Sequence, residues 1–221
     1  MHKVKKVFFC LIFIIMLLFT VGFTTDYFSQ SPVQAAGTDH GWNLILVNPD
    51  NKVPKDWNIE LTKLSNGESV DNRIYPELQQ MFNDMRTQGI HPVVASGYRT
   101  ANKQQELMDE KVESFISQGY SRSAAKTESC KWVAAVGYSE HQVGLSVDIN
   151  ADGVNSTGEQ VYEWLADNAW QYGFILRYPE GKTEITGTDY EPWHYRYVGK
   201  EAAADIYEQD VCLEEYIETL D

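Results

Sequence analysis

Two short segments of this 221-residue chain concentrate side chains that bind metals. Residues 139–148 read SEHQVGLSVD and carry His141 and Asp148, and residues 191–194 read EPWH and carry His194. A catalytic zinc site uses three protein ligands, commonly histidine and carboxylate, and leaves a fourth position for water. These side chains therefore predict a zinc site that activates water for hydrolysis. A histidine near an aspartate is more often a structural hydrogen bond, so spacing alone leaves that interpretation open.

The other histidines offer few alternatives as ligands. Of the five histidines in the chain, His2 and His40 precede the predicted domain. Besides the two candidate ligands, this leaves only His91 in the domain. His91 comes before a predicted strand and has no acidic neighbour in the sequence, so an ordinary surface or capping role is favoured.

The spacing within each segment constrains the backbone. On one continuous strand, His141 and Asp148 would lie on opposite faces and about 23 Å apart. The chain must therefore bend between them, and Gly144 can adopt the backbone angles that a bend requires. We expect His141 in a loop before a strand and Asp148 within it. Glu191 and His194 also have the wrong separation for one strand face, so we expect Glu191 at the entry of a second strand and His194 on it.

The elements that must position these residues are a mixture of helices and strands. Strand patterns cover residues 42–47, 58–64, 93–95, 145–149, 174–178 and 193–198. Helical patterns run from Pro76 to the stop at Gly89, and recur over residues 101–118, 121–132, about 161–173 and 202–220. Because a regular βαβ alternation is missing, we predict an α+β fold. Its small, mainly antiparallel sheet packs with helices and carries the zinc site.

The N-terminus has the pattern of an export signal or a membrane anchor. Lysines at positions 3, 5 and 6 precede an unbroken apolar run over residues 7–23, whose length is at the lower limit for spanning a bilayer. The positive flank predicts that the rest of the chain lies outside the cytoplasm. Small residues before Ala36 form a candidate signal-peptidase site. That site lies well beyond the apolar run, so both an anchored and a cleaved form stay open.

These patterns divide the chain into three parts. We expect a signal peptide or membrane anchor over residues 1–23, a linker over 24–40 and a zinc-enzyme domain over 41–221.

Lys and Arg number 18 against 32 Asp and Glu, and the resulting formal charge of −14 argues against nucleic-acid binding. The 43% of hydrophobic residues, with 13% aromatic residues, excludes a disordered chain.

Cysteine usage does not define a disulfide framework. Cys10 lies inside the apolar run, and only Cys130 and Cys212 fall in the predicted domain. Export permits a disulfide between these two residues. Two free thiols fit the sequence at least as well.

The motifs S-x-H-x-x-G-x-x-x-D and E-x-x-H, with SGYR upstream, resemble the VanY-type zinc D,D-carboxypeptidases of peptidoglycan. Stretches that match the family pattern, in the family order, are residues 96–99 (SGYR), 137–141 (GYSEH), 168–170 (NAW), 172–179 (YGFILRYP) and 191–199 (EPWHYRYVG). The resemblance covers roughly residues 42–215. Ser146 stands where the family usually has alanine, two places before the metal aspartate, and this departure touches no ligand.

The resemblance implies a role for each matched residue. Zn²⁺ would be bound by His141, Asp148 and His194, and Glu191 would be the general base that takes a proton from the attacking water. A binding module without catalysis would have no use for that base, so Glu191 argues against a purely structural zinc site.

Three further residues are implied in substrate binding. Arg99 would contact the terminal carboxylate of the substrate or the oxyanion that forms at the scissile carbonyl. Ser139 and Gln104 would help to hold the peptide. Because Gln105 is adjacent and chemically equal, an exposed helical position stays open for Gln104.

The implied activity is removal of the C-terminal D-alanine from peptidoglycan stem peptides or precursors outside the cytoplasm, with a contribution to vancomycin resistance. An L,D-carboxypeptidase or an endopeptidase with the same zinc site is the nearest alternative. A zinc- or calcium-binding module without catalysis is the alternative from another class.

Two other motifs compete with this interpretation. Residues 148–153, followed by Glu159, fit the D-x-N-x-D-G-x₅-E pattern of an EF-hand calcium loop. A strand stands where the preceding helix should be, so a turn is favoured over calcium binding by Asn150, Asp152 and Glu159. Ser123 and Lys126 form the S-x-x-K motif of penicillin-binding proteins, but the companion motifs are missing.

Overall fold

The structure is a computed structural model that describes residues 40–220. The predicted signal or anchor, residues 1–23, and nearly all of the linker lie outside the described residues. Within residues 40–220, no helix is both long enough and apolar enough to cross a membrane.

The described residues form short strands and mostly short helices. The strands are β1 (Leu61–Lys63), β2 (Ser69–Asp71), β3 (Pro92–Ser96), β4 (Ser146–Ala151), β5 (Phe174–Leu176) and β6 (His194–Tyr197). The α-helices are α1 (Tyr75–Thr87), α2 (Ala101–Ser117), α3 (Arg122–Ser129), α4 (Gly158–Asn168), α5 (Thr183–Thr186), α6 (Lys200–Gln209) and α7 (Leu213–Glu218). Two 3₁₀ turns, Glu140–Gln142 and Ala169–Tyr172, complete the order. The predicted α+β class is confirmed.

A four-stranded antiparallel sheet is the platform of the fold. Its strand order is β3-β4-β6-β5, and β1 and β2 form a separate antiparallel pair. Asp148 on β4 lies opposite Ser96 of β3 on one side and opposite His194 of β6 on the other. Residues directly opposite one another share a face of the sheet. The register therefore brings together Asp148 and His194, the two candidate ligands that lie on strands.

Helix α1 shows how the sequence places the core. Pro76 lies in its first turn, where a missing N–H costs nothing. The side chains of Leu78, Met81, Phe82 and Met85 recur on one face and are all buried. They join Val147 and Ile149 of β4 in the main hydrophobic cluster. Burying each large apolar side chain contributes ~1.5–3 kcal/mol, so this face fixes α1 beneath the sheet strand that carries Asp148.

Residues 42–47 were predicted to form a strand, and this prediction is wrong. Residues 42–44 form a turn and a bend, and residues 45–47 join no sheet. Alternate side chains over residues 44–47 pack into two different hydrophobic clusters. Nη2 of Arg196 donates hydrogen bonds to the carbonyls of Asn43 and Ile45, at 3.1 and 2.7 Å. An arginine side chain thus satisfies backbone acceptors that a neighbouring strand would otherwise satisfy.

Several other predicted elements are shorter or interrupted. The strand predicted over residues 58–64 is reduced to Leu61–Lys63. The helix predicted over residues 202–220 is two helices, α6 and α7, because Asp210 adopts a left-handed conformation with φ 53° at the end of α6. Aspartate tolerates this conformation better than most residues, which makes it suitable for a helix end.

Candidate metal centre and catalytic cavity

The predicted bend between the first two ligands is present. His141 lies on the 3₁₀ turn that precedes β4, and Asp148 lies within β4. Between them, Gly144 has φ +72°, and a Cβ atom added there would lie 2.3 Å from Cδ1 of Ile59. Both the backbone angle and the contact require glycine at this position.

The three predicted ligands meet at one point. His141 Nε2 lies 3.3 Å from Asp148 Oδ1, and His194 Nδ1 lies 3.1 Å from the same oxygen. One ligand atom from each residue lies within 4.8 Å of the others. Tetrahedral zinc with bonds of 2.0–2.1 Å would separate its ligand atoms by about 3.3 Å. The spacing therefore fits zinc, and within residues 40–220 this is the one group of three such side chains that could hold a metal.

The hydrogen bonds around Asp148 support a metal site over a structural hydrogen bond. Its Oδ1 atom is buried and has no hydrogen-bond partner, although two imidazole nitrogens lie close to it. The ring nitrogens are thus not aligned for hydrogen bonds to that oxygen. A buried carboxylate oxygen without a partner is costly unless a cation satisfies it. This arrangement fits a metal that binds all three side chains.

The tautomer of His141 is fixed by the backbone. Its Nδ1 atom lies 2.7 Å from the carbonyl oxygen of Gly97, which can only accept, so Nδ1 carries the proton. Nε2, which lies 3.3 Å from Oδ1 of Asp148, is then unprotonated and has a lone pair available to a metal. Burial, aided by the charge of Arg99, lowers the pKa of His141 and favours the neutral form that binds metals.

The two carboxylates of the site have opposite electrostatic character. Burial disfavours the charged form of Asp148, but His141 and His194 outweigh it and hold its pKa well below the ordinary value. Burial instead dominates at Glu191 and raises its pKa to about 7. Glu191 precedes β6, and its Oε2 atom lies 3.6 Å from Nδ1 of His194. A carboxylate with a pKa near neutrality is suited to accept and return a proton.

Arg99 contacts the metal centre directly. Its Nη2 atom donates to Oδ2 of Asp148 at 2.6 Å, and its Nε atom donates to Oγ of Ser96 at 2.8 Å. Its backbone N–H donates to the carbonyl of His141 at 3.0 Å. Arg99 therefore orients two ligand segments, a role that the sequence analysis did not foresee. Its side chain also lines the cavity in front of the ligands.

Ser139 and Gln104 line the same cavity, which has a volume of about 390 Å³. Both residues are buried, whereas Gln105 is exposed and bonds to Asp109 of its own helix. Nε2 of Gln104 donates to the carbonyl of Ala134 at 2.7 Å, and its Oε1 atom is buried without a hydrogen-bond partner. The structure thus distinguishes the two adjacent glutamines. It leaves Gln104 with an acceptor to offer to a ligand.

Helix α2 forms one wall of the cavity. One face of α2 lines it from Gln104 to Ser114, and Trp132 and Lys111 form part of its wall, with Nζ of Lys111 4.8 Å from the centre of the Trp132 ring. Ten residues of α-helix span about 15 Å, the length of roughly four residues of extended peptide.

The calcium interpretation is not favoured by the loop after β4. Asp152 Oδ1 accepts backbone hydrogen bonds from residues 154–156, which hold the pKa of Asp152 well below its ordinary value. Asn150 Oδ1 accepts a hydrogen bond from the hydroxyl of Tyr162. The loop is therefore closed by its own hydrogen bonds, as expected of a turn.

The S-x-x-K interpretation finds no support either. Ser123 and Lys126 are exposed on α3, and neither lines the cavity. Cys130 is exposed and Cys212 is buried, and both are free thiols.

Sequence reasoning missed Glu140, which lies between the two motif residues Ser139 and His141. Its carboxylate is fully buried and bonds to Arg177 and Arg196. Arginines in segments rich in apolar and aromatic residues, FILRYP and HYRYV, are the signal that could have predicted a buried acidic partner.

Comparison with known proteins agrees with this geometry. The family model described as "VanY: D-alanyl-D-alanine carboxypeptidase" matches residues 67–200. The chain belongs to the VanY family. A D-alanyl-D-alanine carboxypeptidase of Enterococcus faecalis (strain ATCC 700802 / V583) is 57% identical over 183 residues, which make up 83% of this chain and 68% of that protein. The predicted family and metallocarboxypeptidase class are confirmed.

Solved VanY structures share the fold. "VanYB in complex with D-Alanine-D-Alanine" has a TM-score of 0.80 and 58% identity, covering 81% of this chain and 99% of that one. A mutant of the vancomycin resistance D,D-pentapeptidase VanY in complex with Zn(II) has a TM-score of 0.79 and 58% identity, covering 80% and 99%. The LD-carboxypeptidase LdcB has a TM-score of 0.64 and 34% identity, covering 78% and 84%. The predicted zinc cofactor is confirmed by the Zn(II)-bound relative together with the ligand group of this VanY-family chain.

Proposed function

We propose that this VanY-family domain is a zinc-dependent D,D-carboxypeptidase that removes the C-terminal D-alanine from peptidoglycan stem peptides or their precursors. The observation that carries the proposal is the convergence of His141, Asp148 and His194 on one point, with Glu191 beside them in a cavity. The D-Ala-D-Ala complex of the similar VanYB structure supports the choice of substrate.

The metal and Glu191 divide the chemistry. Zinc held by the two histidines and Asp148 would supply Lewis-acid polarisation of the scissile carbonyl and a water that is nucleophilic at neutral pH. Glu191 would take the proton of the attacking water and return it to the nitrogen of the leaving D-alanine. Its burial supports this role, because a carboxylate whose pKa is raised to about 7 accepts a proton more readily than an ordinary one and can still give it up near neutral pH.

The remaining cavity residues would hold the peptide. Arg99 would place positive charge beside the substrate carboxylate or the developing oxyanion while it also orients Asp148. Ser139 would offer a hydroxyl, and the unpartnered Oε1 of Gln104 would accept a hydrogen bond from a peptide N–H.

The length of the cavity favours a carboxypeptidase over a dipeptidase. Its lining runs about 15 Å along α2, from Gln104 to Ser114, which is longer than a D-Ala-D-Ala dipeptide. A site for a free dipeptide would gain nothing from this extension. A stem peptide would place the residues that precede its D-Ala-D-Ala end there.

The substrate is tested by incubating the zinc-loaded domain with muramyl tripeptide, tetrapeptide and pentapeptide, followed by mass spectrometry of the products. We expect the pentapeptide to lose one alanine and the tetrapeptide to persist. The resemblance to LdcB at 34% identity supports a second candidate, an L,D-carboxypeptidase. Conversion of the tetrapeptide to the tripeptide, with the pentapeptide intact, would establish that alternative in place of ours.

We further propose that the domain acts outside the cytoplasm, held by the N-terminal segment or released after cleavage before Ala36. The lysines and the apolar run over residues 7–23 support this orientation. Protease added to cells without a wall should digest residues 41–221, whereas complete protection would contradict the topology. The N-terminal residue of the mature protein distinguishes the anchored form from the cleaved form.

A role in vancomycin resistance is the corresponding biological proposal. It is supported by the similarity to a VanY described as a vancomycin resistance D,D-pentapeptidase. Deletion of the coding sequence from a resistant host should increase the cellular pool of precursors that end in D-Ala-D-Ala. An unchanged precursor pool would contradict the proposal.

A further inference from the structure

A buried ion network lies directly behind the metal ligands. Oε1 of Glu140 accepts hydrogen bonds from Nε of Arg177 and Nη1 of Arg196, each at 2.7 Å. Oε2 of Glu140 accepts from Oγ of Ser146 at 2.8 Å and lies 3.5 Å from Nε2 of His194. The side chains of Glu140 and both arginines are completely buried. The carboxylate is therefore held on three sides, with its remaining edge toward His194.

His194 needs a partner on that side. Its Nδ1 atom faces Asp148, so Nε2 is the ring nitrogen left to donate, and it is buried without a hydrogen-bond partner. Histidines that bind metals usually direct their second ring N–H to a carboxylate, a carbonyl or water, which fixes the ring orientation and the tautomer. The Glu140 carboxylate, at 3.5 Å, is the acidic group in position to accept that proton.

The same network reaches segments outside the family match. Arg177 donates two hydrogen bonds to Glu214 of α7, at 2.8 and 2.6 Å. Arg196 bonds to the carbonyls of Asn43 and Ile45. Both segments lie outside residues 67–200, which match the family model. Two carboxylates and two guanidinium groups balance in charge, so the network can be buried without a net charge.

We propose that Glu140 is a positioning residue for the metal centre: it orients the His194 ring so that Nδ1 faces the metal, and the two arginines hold Glu140 in place. The inference rests on the proposed zinc site. A buried ion pair adds little stability compared with apolar side chains of the same volume. The positioning of His194 is a function that apolar side chains at these positions would not perform.

The test is the zinc affinity of purified variants, measured by competition with a chromophoric chelator. Glu140→Gln should bind zinc 10–100-fold more weakly than wild type, because second-layer partners of metal-binding histidines have effects of about this size. Its kcat at saturating zinc should fall by a smaller factor than its affinity for zinc, since Glu140 does not line the cavity. Equal zinc affinity in Glu140→Gln and wild type would overturn the proposal.

Glu214→Gln is the matched control. It weakens the same ion network at Arg177, but it leaves Glu140 in place beside His194. It should lower Tm and keep zinc affinity within about threefold of wild type. If Glu214→Gln loses as much zinc affinity as Glu140→Gln at a similar Tm, zinc loss reflects a weakened fold and the proposal fails.

A spectroscopic measurement on zinc-loaded wild type keeps the proposal testable even if Glu140→Gln does not fold. The Nε2–H proton of His194 should be slow to exchange with solvent and shifted downfield, as a hydrogen bond to a carboxylate requires. A rapidly exchanging proton without that shift would overturn the proposal. Wild type that binds no zinc would instead contradict the proposed function, so the two failures are distinguishable.

Discussion

Nη2 of Arg99 donates a 2.6 Å hydrogen bond to Oδ2 of Asp148, while the other oxygen of that carboxylate faces the two histidines. One aspartate thus connects the metal position to the arginine that lines the cavity. Because Arg99 contacts Asp148 and also lines the cavity, a change at Arg99 should alter both zinc binding and substrate binding.

Arg99→Ala should weaken zinc binding about tenfold, because Asp148 loses the partner that orients it. Its kcat/KM should fall by at least 10², because a positive charge near the developing oxyanion is also lost. Arg99→Lys is the control, since lysine keeps the positive charge but cannot make both hydrogen bonds that Nη2 and Nε of Arg99 donate to Asp148 and Ser96. Zinc titration and steady-state kinetics measure the two effects. Normal values of both in Arg99→Ala would show that the contact has no functional role.

Activity should depend on metal and not on a serine nucleophile. Removing zinc with a chelator should abolish hydrolysis of the pentapeptide, and added zinc should restore it. Penicillin should have no effect, and Ser123→Ala should retain wild-type kcat/KM, because Ser123 is exposed and lies outside the cavity lining. Activity that resists the chelator and is lost with penicillin would contradict the metal mechanism.

The grouping of the three candidate ligands could be predicted from sequence in part, because their chemistry and their backbone constraints are local. The seven-residue offset from His141 to Asp148 required a bend in the chain, and the structure has that bend at Gly144. The register that sets Asp148 opposite His194 depends on the pairing of distant strands. That register could not be derived from the spacing within either motif.

The parts that escaped prediction depend on side chains from distant segments. Residues 42–47 have a strand pattern, but Arg196 takes the place of a neighbouring strand. The pairing of Glu140 with Arg177 joins residues far apart in sequence. Hydrophobic periodicity carries no information about which buried charges pair.

The cavity wall at Trp132 should recognise the part of the peptide that precedes its D-Ala-D-Ala end. Trp132→Ala removes an aromatic wall there and should raise KM for a pentapeptide several-fold. KM for a short acyl-D-Ala-D-Ala substrate should rise less, because we expect the residues that precede the D-Ala-D-Ala end to contact Trp132. Steady-state kinetics on both substrates distinguishes the effects. Equal losses on the two would mean that Trp132 acts on the reaction centre.

Gly144→Ala should destabilise the domain by about 1–3 kcal/mol, measured by urea unfolding, because alanine is strained at φ +72°. The added Cβ would also collide with Ile59, so part of the loss is steric. Gly67→Ala is the matched control, since Gly67 has φ +97° but no atom within 4 Å of an added Cβ. If Gly67→Ala is as destabilising as Gly144→Ala, the packing around Gly144 contributes nothing.

The zinc content and kcat of Glu191→Gln, measured on the same preparation, test the central claim most directly. Glutamine keeps the size of the side chain but cannot accept the proton, and loss of a general base costs ~10²–10⁴ in rate. We predict about one zinc per chain, unchanged substrate binding and a kcat reduced by at least 10², whereas His194→Ala should lose zinc and activity together. A zinc-free Glu191→Gln, or one with a kcat near that of wild type, would contradict the assignment of Glu191 as the base.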